Sequence, residues 1–272
     1  MIPTGLLRKN DRTNDVSKAF GFPVAERQGY ISANHLERRI MAKTILGIGA
    51  HYDDCVFGIS GTLLKAVRKN HRVVILSLIG DYSNWKPAAG RHKEIVDGTI
   101  KLGKENGVEM RFLDFAGMRF DVNQATKIAV AEAIAEIQPD VAFMLWPHDS
   151  HPDHEVASAL TKTAIGHGDR LLDGGLAQRF RGTGRVFQFD NGPRHTIGFE
   201  PNTFVDITDE WPQAIAWLGK LMALVRNESF DPDKPDGAMR TKESISAYRG
   251  ATCGVRYAEA FRSANAYPQE IL

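Results

Sequence analysis

The sequence predicts an α/β fold, a doubly wound and mostly parallel sheet with helices on both faces. Two observations carry the prediction. Three short apolar runs lack polar alternation: Thr44-Ile45-Leu46-Gly47-Ile48, Val73-Val74-Ile75-Leu76 and Val141-Ala142-Phe143-Met144-Leu145. That is the composition of parallel strands covered on both faces. Helical stretches separate them, at Gly61 to Arg68, Arg91 to Lys104 and Thr126 to Ile137, and strands alternating with helices are the signature of βαβ units.

Taken in order, residues 1–40 mix Gly, Pro, Asn and charge without periodicity and read as an N-terminal arm or cap. A single domain over residues 41–272 follows, its first strand beginning just after Met41. In the last third, Val186-Phe187-Gln188-Phe189 and Phe204-Val205-Asp206-Ile207 read as strands. Trp211 to Val225 reads as a helix with Pro212 in its first turn, where a missing N–H costs nothing. Asp231 to Asp236 reads as a loop.

Composition excludes several classes of function. With 43% apolar and 25% charged residues the chain suits a globular domain rather than a disordered tail. Two cysteines, Cys55 and Cys253, make no disulfide framework and fit a reducing compartment. Lys+Arg 34 against Asp+Glu 33 leaves a formal net charge of +1, so no global basic field exists to hold nucleic acid. No apolar run approaches the ~20 residues of a membrane span. The polar N-terminus, with Arg8, Lys9, Asp11 and Arg12, lacks the apolar centre of a secretory signal. A cytoplasmic protein with no stable membrane insertion is expected.

Chemistry-bearing residues concentrate past two of the buried strands. Ala50-His51-Tyr52-Asp53-Asp54 follows the first, and His148-Asp149-Ser150-His151-Pro152-Asp153-His154 follows the third. In doubly wound sheets ligands bind at the carboxyl ends of the strands. Alone, Asp53-Asp54 or Asp153 could serve only a helix N-terminus, where carboxylates offset the dipole. Together the clusters supply metal donors: His51 and Asp54 are three apart, as are His151 and His154, a spacing that shares one face of a helical turn. Two imidazoles and a carboxylate with an open position form a known catalytic zinc arrangement. Gly47-Ile48-Gly49 hints at a dinucleotide fingerprint, but Tyr52 stands where the third glycine belongs and obstructs a pyrophosphate.

These motifs resemble the LmbE-like/PIG-L de-N-acetylases. Ala50-His51-Tyr52-Asp53-Asp54 with Gly58 and Gly61-Thr62 is similar to that family's Ala-His-Pro-Asp-Asp motif, with Tyr52 in place of the proline, and His151-Pro152-Asp153-His154 matches its second motif. Arg91 with Glu94, the strand Thr203 to Thr208 and the closing motif Gly254 to Phe261 extend the likeness over roughly Thr44 to Arg262. The resemblance implies a Rossmann-like fold and a zinc ion, or another divalent metal, held by His51, Asp54 and His154. It further implies Asp53 as general base, His151 as oxyanion stabiliser or acid, Asp153 orienting the His151 ring, and Arg91 and Arg185 as substrate contacts. The implied activity is removal of an acetyl group from an N-acetylglucosamine-type amino sugar or its conjugate. A homo-oligomer, trimer or hexamer, is implied as well. In some relatives a tyrosine assists as acid, and Asp149 occupies one place where it would sit. The alternatives are hydrolysis of another small-molecule amide, such as a cysteine conjugate, and a non-catalytic metal-containing sugar-binding module.

Overall fold

A computed structural model describes residues 42–88, 90–263 and 265–267. The arm expected over residues 1–40 lies outside them.

Strand β1 (Thr44–Gly49) leads through a tight turn into helix α1 (Asp54–Arg68), then β2 (Arg72–Asp81), α2 (His92–Glu105), β3 (Glu109–Ala116) and α3 (Gln124–Ile137). Strand β4 (Val141–Leu145), α4 (Pro152–Leu171), a short α5 (Gly174–Arg179) and β5 (Arg185–Phe189) follow. The chain ends with β6 (Thr203–Asp206), α6 (Trp211–Arg226), α7 (Gly237–Cys253) and β7 (Ala258–Ser263). The strands form one seven-stranded sheet in the order β3-β2-β1-β4-β5-β7-β6. Neighbours from β3 through β5 pair in parallel, while β7 runs antiparallel to both β5 and β6. The sheet is therefore mixed at one edge.

The three apolar runs form β1, β4 and the heart of β2. Leu46, Ile48, Val74, Ile75 and Leu76 are almost wholly buried, as strands covered on both faces require. Right-handed crossovers leaving β1 in one direction and β4 in the other put their helices on opposite faces. Accordingly α1, α2, α6 and α7 pack among themselves, as do α3, α4 and α5. Local signals fix the helix ends. Asn123 and Thr126 form a reciprocal capping box at α3, Asp236 accepts the Met239 N–H at 2.8 Å to start α7, and Gly254 ends α7 in the left-handed region at φ 80.

Helices α4 and α5 and three further elements lie outside the sequence expectations, and for β3, α7 and β7 the physical reason is plain. Edge strand β3 carries Glu109, Arg111 and Asp114 and has no uninterrupted apolar run. Helix α7 buries Met239, Lys242, Ser246 and Gly250, a stripe at helical spacing whose members are mostly polar or small. Strand β7 is apolar at only three of its six residues, and its burial comes from insertion between β5 and β6. Among the described residues no helix is long and apolar enough to cross a membrane.

The strand order reverses between β1 and β4. Such a switch point opens a crevice at the carboxyl ends of the two strands, and both residue clusters emerge there.

Candidate metal centre

Past Gly49 the chain turns so that Asp54, first residue of α1, points back at the strand end. Its Oδ2 accepts the backbone N–H groups of Ala50 at 2.7 Å and His51 at 2.9 Å, and its Oδ1 accepts from Asn191 Nδ2 at 2.8 Å. Past β4, Asp149 Oδ1 accepts the His151 N–H at 2.8 Å, and the His151 ring caps α4 by accepting the Asp153 N–H on Nδ1 at 3.2 Å. Pro152 opens the helix, which places Asp153 and His154 in its first turn.

The three donors expected to share a cation converge. His51 Nδ1 lies 3.1 Å from His154 Nε2 and 3.7 Å from Asp54 Oδ2, and His154 Nε2 lies 3.3 Å from Asp54 Oδ1. Tetrahedral zinc with bonds of about 2.0–2.1 Å spaces its ligands roughly 3.3–3.4 Å apart, so these separations suit one ion. The nitrogen-rich set with one carboxylate suits zinc as well. Ring nitrogens of His51, His151 and His154 also lie within 4.8 Å of one another, as do the donor atoms of Asp149, His154 and His195.

Each imidazole of the triad has a carboxylate on its other nitrogen. His51 Nε2 is 3.2 Å from Asp153 Oδ2, and His154 Nδ1 is 3.1 Å from Asp149 Oδ2. Such partners fix the tautomer and turn the free nitrogen toward a metal. Asp153 is itself held by the Met118 N–H, at 3.0 and 3.1 Å from its two oxygens. Met118 adopts the left-handed region at φ 58, uncommon for a residue with a side chain.

Four carboxylates around these rings set their protonation. Burial lowers the His51 pKa, but Asp153 and Asp54 outweigh it and push it up to about 9. Burial likewise opposes protonation of His154, and Asp54 and Asp149 push its pKa up to about 10. Burial works against ionisation of Asp54, yet His154 and His51 hold its carboxyl well below the usual carboxylate range. A divalent cation would satisfy the same carboxylates and displace the imidazole protons. Asp53 is raised to about 6 by burial and by the neighbouring Asp54 charge. His151 is lowered by burial and by His51 and His154.

A cleft of about 520 Å³ opens over the centre, and His51, Asp53, His151, Asp153 and His154 line it. Tyr52, Tyr82 and the half-exposed Trp85 form one wall, with ring centroids 5.4 to 6.2 Å apart. Phe57, Arg194 and His195 also line it.

Several expectations meet a different arrangement. The Asp153 carboxylate faces His51 rather than the His151 ring, which receives only the Asp153 backbone N–H. Burial and the neighbouring His51 and His154 disfavour the charged form of His151. Arg91 does not reach the cleft: it pairs with Glu94 at 2.8 Å and donates to the carbonyls of Leu224 and Val225, fastening α2 to the end of α6. Arg185 begins β5, at the opposite end of the parallel strands, with its guanidinium 5.8 Å from the Tyr267 ring. The cleft's own arginine is Arg194. Asp149 and Asn191 hold the donors although the sequence assigned them no such part. Asp149 stood inside the second cluster and could have been found there, whereas Asn191 is a lone residue after β5 with no pattern around it.

Comparison with known proteins shows what the chain is similar to. The family model of PIG-L, the GlcNAc-PI de-N-acetylase, matches residues 46–165. The chain is 28% identical over 239 residues to a diacetylchitobiose deacetylase of Thermococcus kodakarensis, covering 81% of this chain and 82% of that relative. Its fold resembles an N,N'-diacetylchitobiose deacetylase of Pyrococcus horikoshii at TM-score 0.64 and 22% identity, over 89% of this chain and 93% of the other. It also resembles GalB, a 4-carboxy-2-hydroxymuconate hydratase of Pseudomonas putida KT2440, at TM-score 0.69 and 18% identity, over 85% and 99%. The likeness of fold thus extends to enzymes of different chemistry and does not choose between them. The two motifs and the donors they bring together lie inside residues 46–165, the segment that the PIG-L family model matches.

Proposed function

We propose that this chain is a metal-dependent amide hydrolase that removes the acetyl group from an N-acetylglucosamine-type amino sugar or its conjugate. The observation that carries the reading is the convergence of His51, Asp54 and His154 to within 3.7 Å of one another, with the unligated Asp53 beside them on the same turn. The family match and the deacetylase relative support the acetamido substrate. Zinc is the ion this donor set suits, and when bound it supplies a Lewis acid for the amide carbonyl and a water of lowered pKa.

The chain's own residues do the rest. Asp53, held near neutrality by burial, accepts the proton of the attacking water. His151 accepts the Asp153 N–H on Nδ1, so its remaining proton sits on Nε2. That N–H is available to hydrogen-bond the carbonyl oxygen as it becomes an anion. The proton that Asp53 took from the water passes to the departing nitrogen, which leaves as the amine while the acetyl group leaves as acetate. Asp149 and Asp153 hold the two ligand rings and keep the proton on their outer nitrogens. The aromatic wall of Tyr52, Tyr82 and Trp85 gives a sugar ring a face to lie against. A homo-oligomer belongs to the same reading, and light scattering on purified protein tests it.

The test is turnover by metal-loaded protein on N-acetylglucosamine, diacetylchitobiose and thiol-glycoside amides, read as free amine and acetate. Amine release that stops on chelation and returns with zinc supports the reading. Full turnover after complete metal removal rejects it, saccharide binding without amine release favours a binding module, and release only from the thiol-glycoside amides favours the cysteine-conjugate alternative.

A further inference from the structure

The closing sequence motif, Gly254 to Phe261, supplies no donor to the centre, yet its Glu259 is only 3% exposed in the interior. Strand β7 brings this carboxylate to α1, and α7 brings Lys242, also 3% exposed, to the same point. Lys242 Nζ is 2.9 Å from Glu259 Oε1. Glu259 accepts the N–H of Gly61 at 2.9 Å on Oε1 and that of Thr62 at 2.7 Å on Oε2. Lys242 donates in addition to the carbonyl of Phe57.

In an unbroken helix the Gly61 N–H would donate to that same Phe57 carbonyl, four residues back. Here the ion pair stands between them and satisfies both groups. Helix α1 is split at this level, with Ile59 outside helical geometry at φ −139 and ψ 16. The glycines on either side make the split fit. A Cβ at Gly58 would fall 2.5 Å from Phe189 Cδ2, and one at Gly61 would fall 2.7 Å from Ile207 Cβ. The turn ahead of the split is the one that carries Asp54 and Phe57, and Asp53 precedes it at the N-cap position, its carbonyl accepting the Phe57 N–H at 2.7 Å.

We infer that the buried Lys242–Glu259 pair is a positioning device: it holds the split in α1 open at the angle that aims Asp54 at His154. The inference rests on the metal-dependent reading above. A buried ion pair adds little to stability, because desolvation offsets the attraction. Its effect here is directional, since the Phe57 carbonyl and the Gly61 and Thr62 N–H groups can all meet the pair only while the helix is parted. With apolar side chains in its place, the Phe57 carbonyl and Gly61 N–H rejoin and the first turn tilts.

The experiment compares the full chain with Lys242→Met/Glu259→Leu, with Glu259→Gln and with Ile134→Val, a core truncation in α3 that serves as a destabilised control. Zinc affinity is read by chelator competition, and the cobalt-loaded absorption spectrum reports donor geometry. The double variant is expected to stay folded, lose about tenfold or more in zinc affinity, the size of effect typical of losing a group that orients a metal ligand, and change its cobalt spectrum. Glu259→Gln, which keeps one acceptor oxygen, is expected to fall between it and the parent and carries the same readout should the double variant not fold. Ile134→Val is expected to lower Tm and leave affinity and spectrum alone. Folded variants with the parent's affinity and spectrum would overturn the positioning role. A parent chain that binds neither zinc nor cobalt would instead overturn the metal-dependent reading itself, and the inference with it.

Discussion

His154 turns its Nε2 toward His51 and Asp54 and keeps its Nδ1 3.1 Å from Asp149 Oδ2. Asp149 is 7% exposed and also accepts the His151 N–H, so one carboxylate orients a ligand ring and the start of α4 together. Removing such a partner typically costs about 10–100-fold in metal affinity. Asp149→Ala is therefore expected to weaken zinc binding by that factor, measured by chelator competition. Parent-like affinity would show that His154 needs no such support.

Asp53 lines the cleft without serving as a donor to the converging triad. Asp53→Asn is expected to keep zinc affinity within a small factor and to lower kcat by about 10²–10⁴, the usual worth of a general base. Equal turnover by the variant would take the proton-accepting role away from this residue.

The two arginines separate structure from recognition. Arg91 ties α2 to the end of α6 through Glu94, Leu224 and Val225, so Arg91→Ala is expected to lower Tm and leave KM unchanged. Arg194 lines the cleft, and Arg194→Ala is expected to raise KM about tenfold or more, consistent with one hydrogen bond from a charged donor at about 1.5–3 kcal/mol. Steady-state kinetics on the best substrate distinguish the two, and a raised KM in the Arg91 variant alone would reverse the assignment.

Metal-free protein should carry a pH signature. In the folded chain the carboxylates outweigh burial and raise His51 to about 9 and His154 to about 10, above the ordinary value of 6.5. A raised pKa contributes stability that is complete below the unfolded value and lost as pH rises through the folded one. Chelated protein is accordingly expected to lose Tm steadily between about pH 6.5 and 10, and zinc-loaded protein to lose less. A flat Tm profile for the chelated chain would contradict the protonated rings.

The sheet interior was legible because burial on both faces leaves an unmistakable trace: β1 and β4 coincide with their apolar runs. The donors were legible because His51, Asp54, His151 and His154 crowd two strand ends that the fold class had already marked as a binding crevice. What escaped notice works through geometry rather than composition. Helix α7 hides behind a buried stripe containing Lys242 and Ser246, and periodicity of apolar residues is blind to it. Asn191 reaches Asp54 from 137 positions away, and no local pattern encodes that. Arg91 sits beside its acidic neighbour as the family resemblance requires, yet the pairing with Glu94 and the carbonyls of α6 consumes its donors.

Part of the support of Asp54 and of the helix it begins comes from beyond the segment that the family model matches. Asn191, Lys242 and Glu259 all lie downstream of residue 165, where the family match ends. A fragment cut at that border would keep the proposed donors and base and lose the contacts these three residues make to Asp54 and helix α1. On the proposed reading the machinery needs a longer stretch of chain than the family model matches, so a truncation at residue 165 is expected to lose metal affinity, measured by chelator competition.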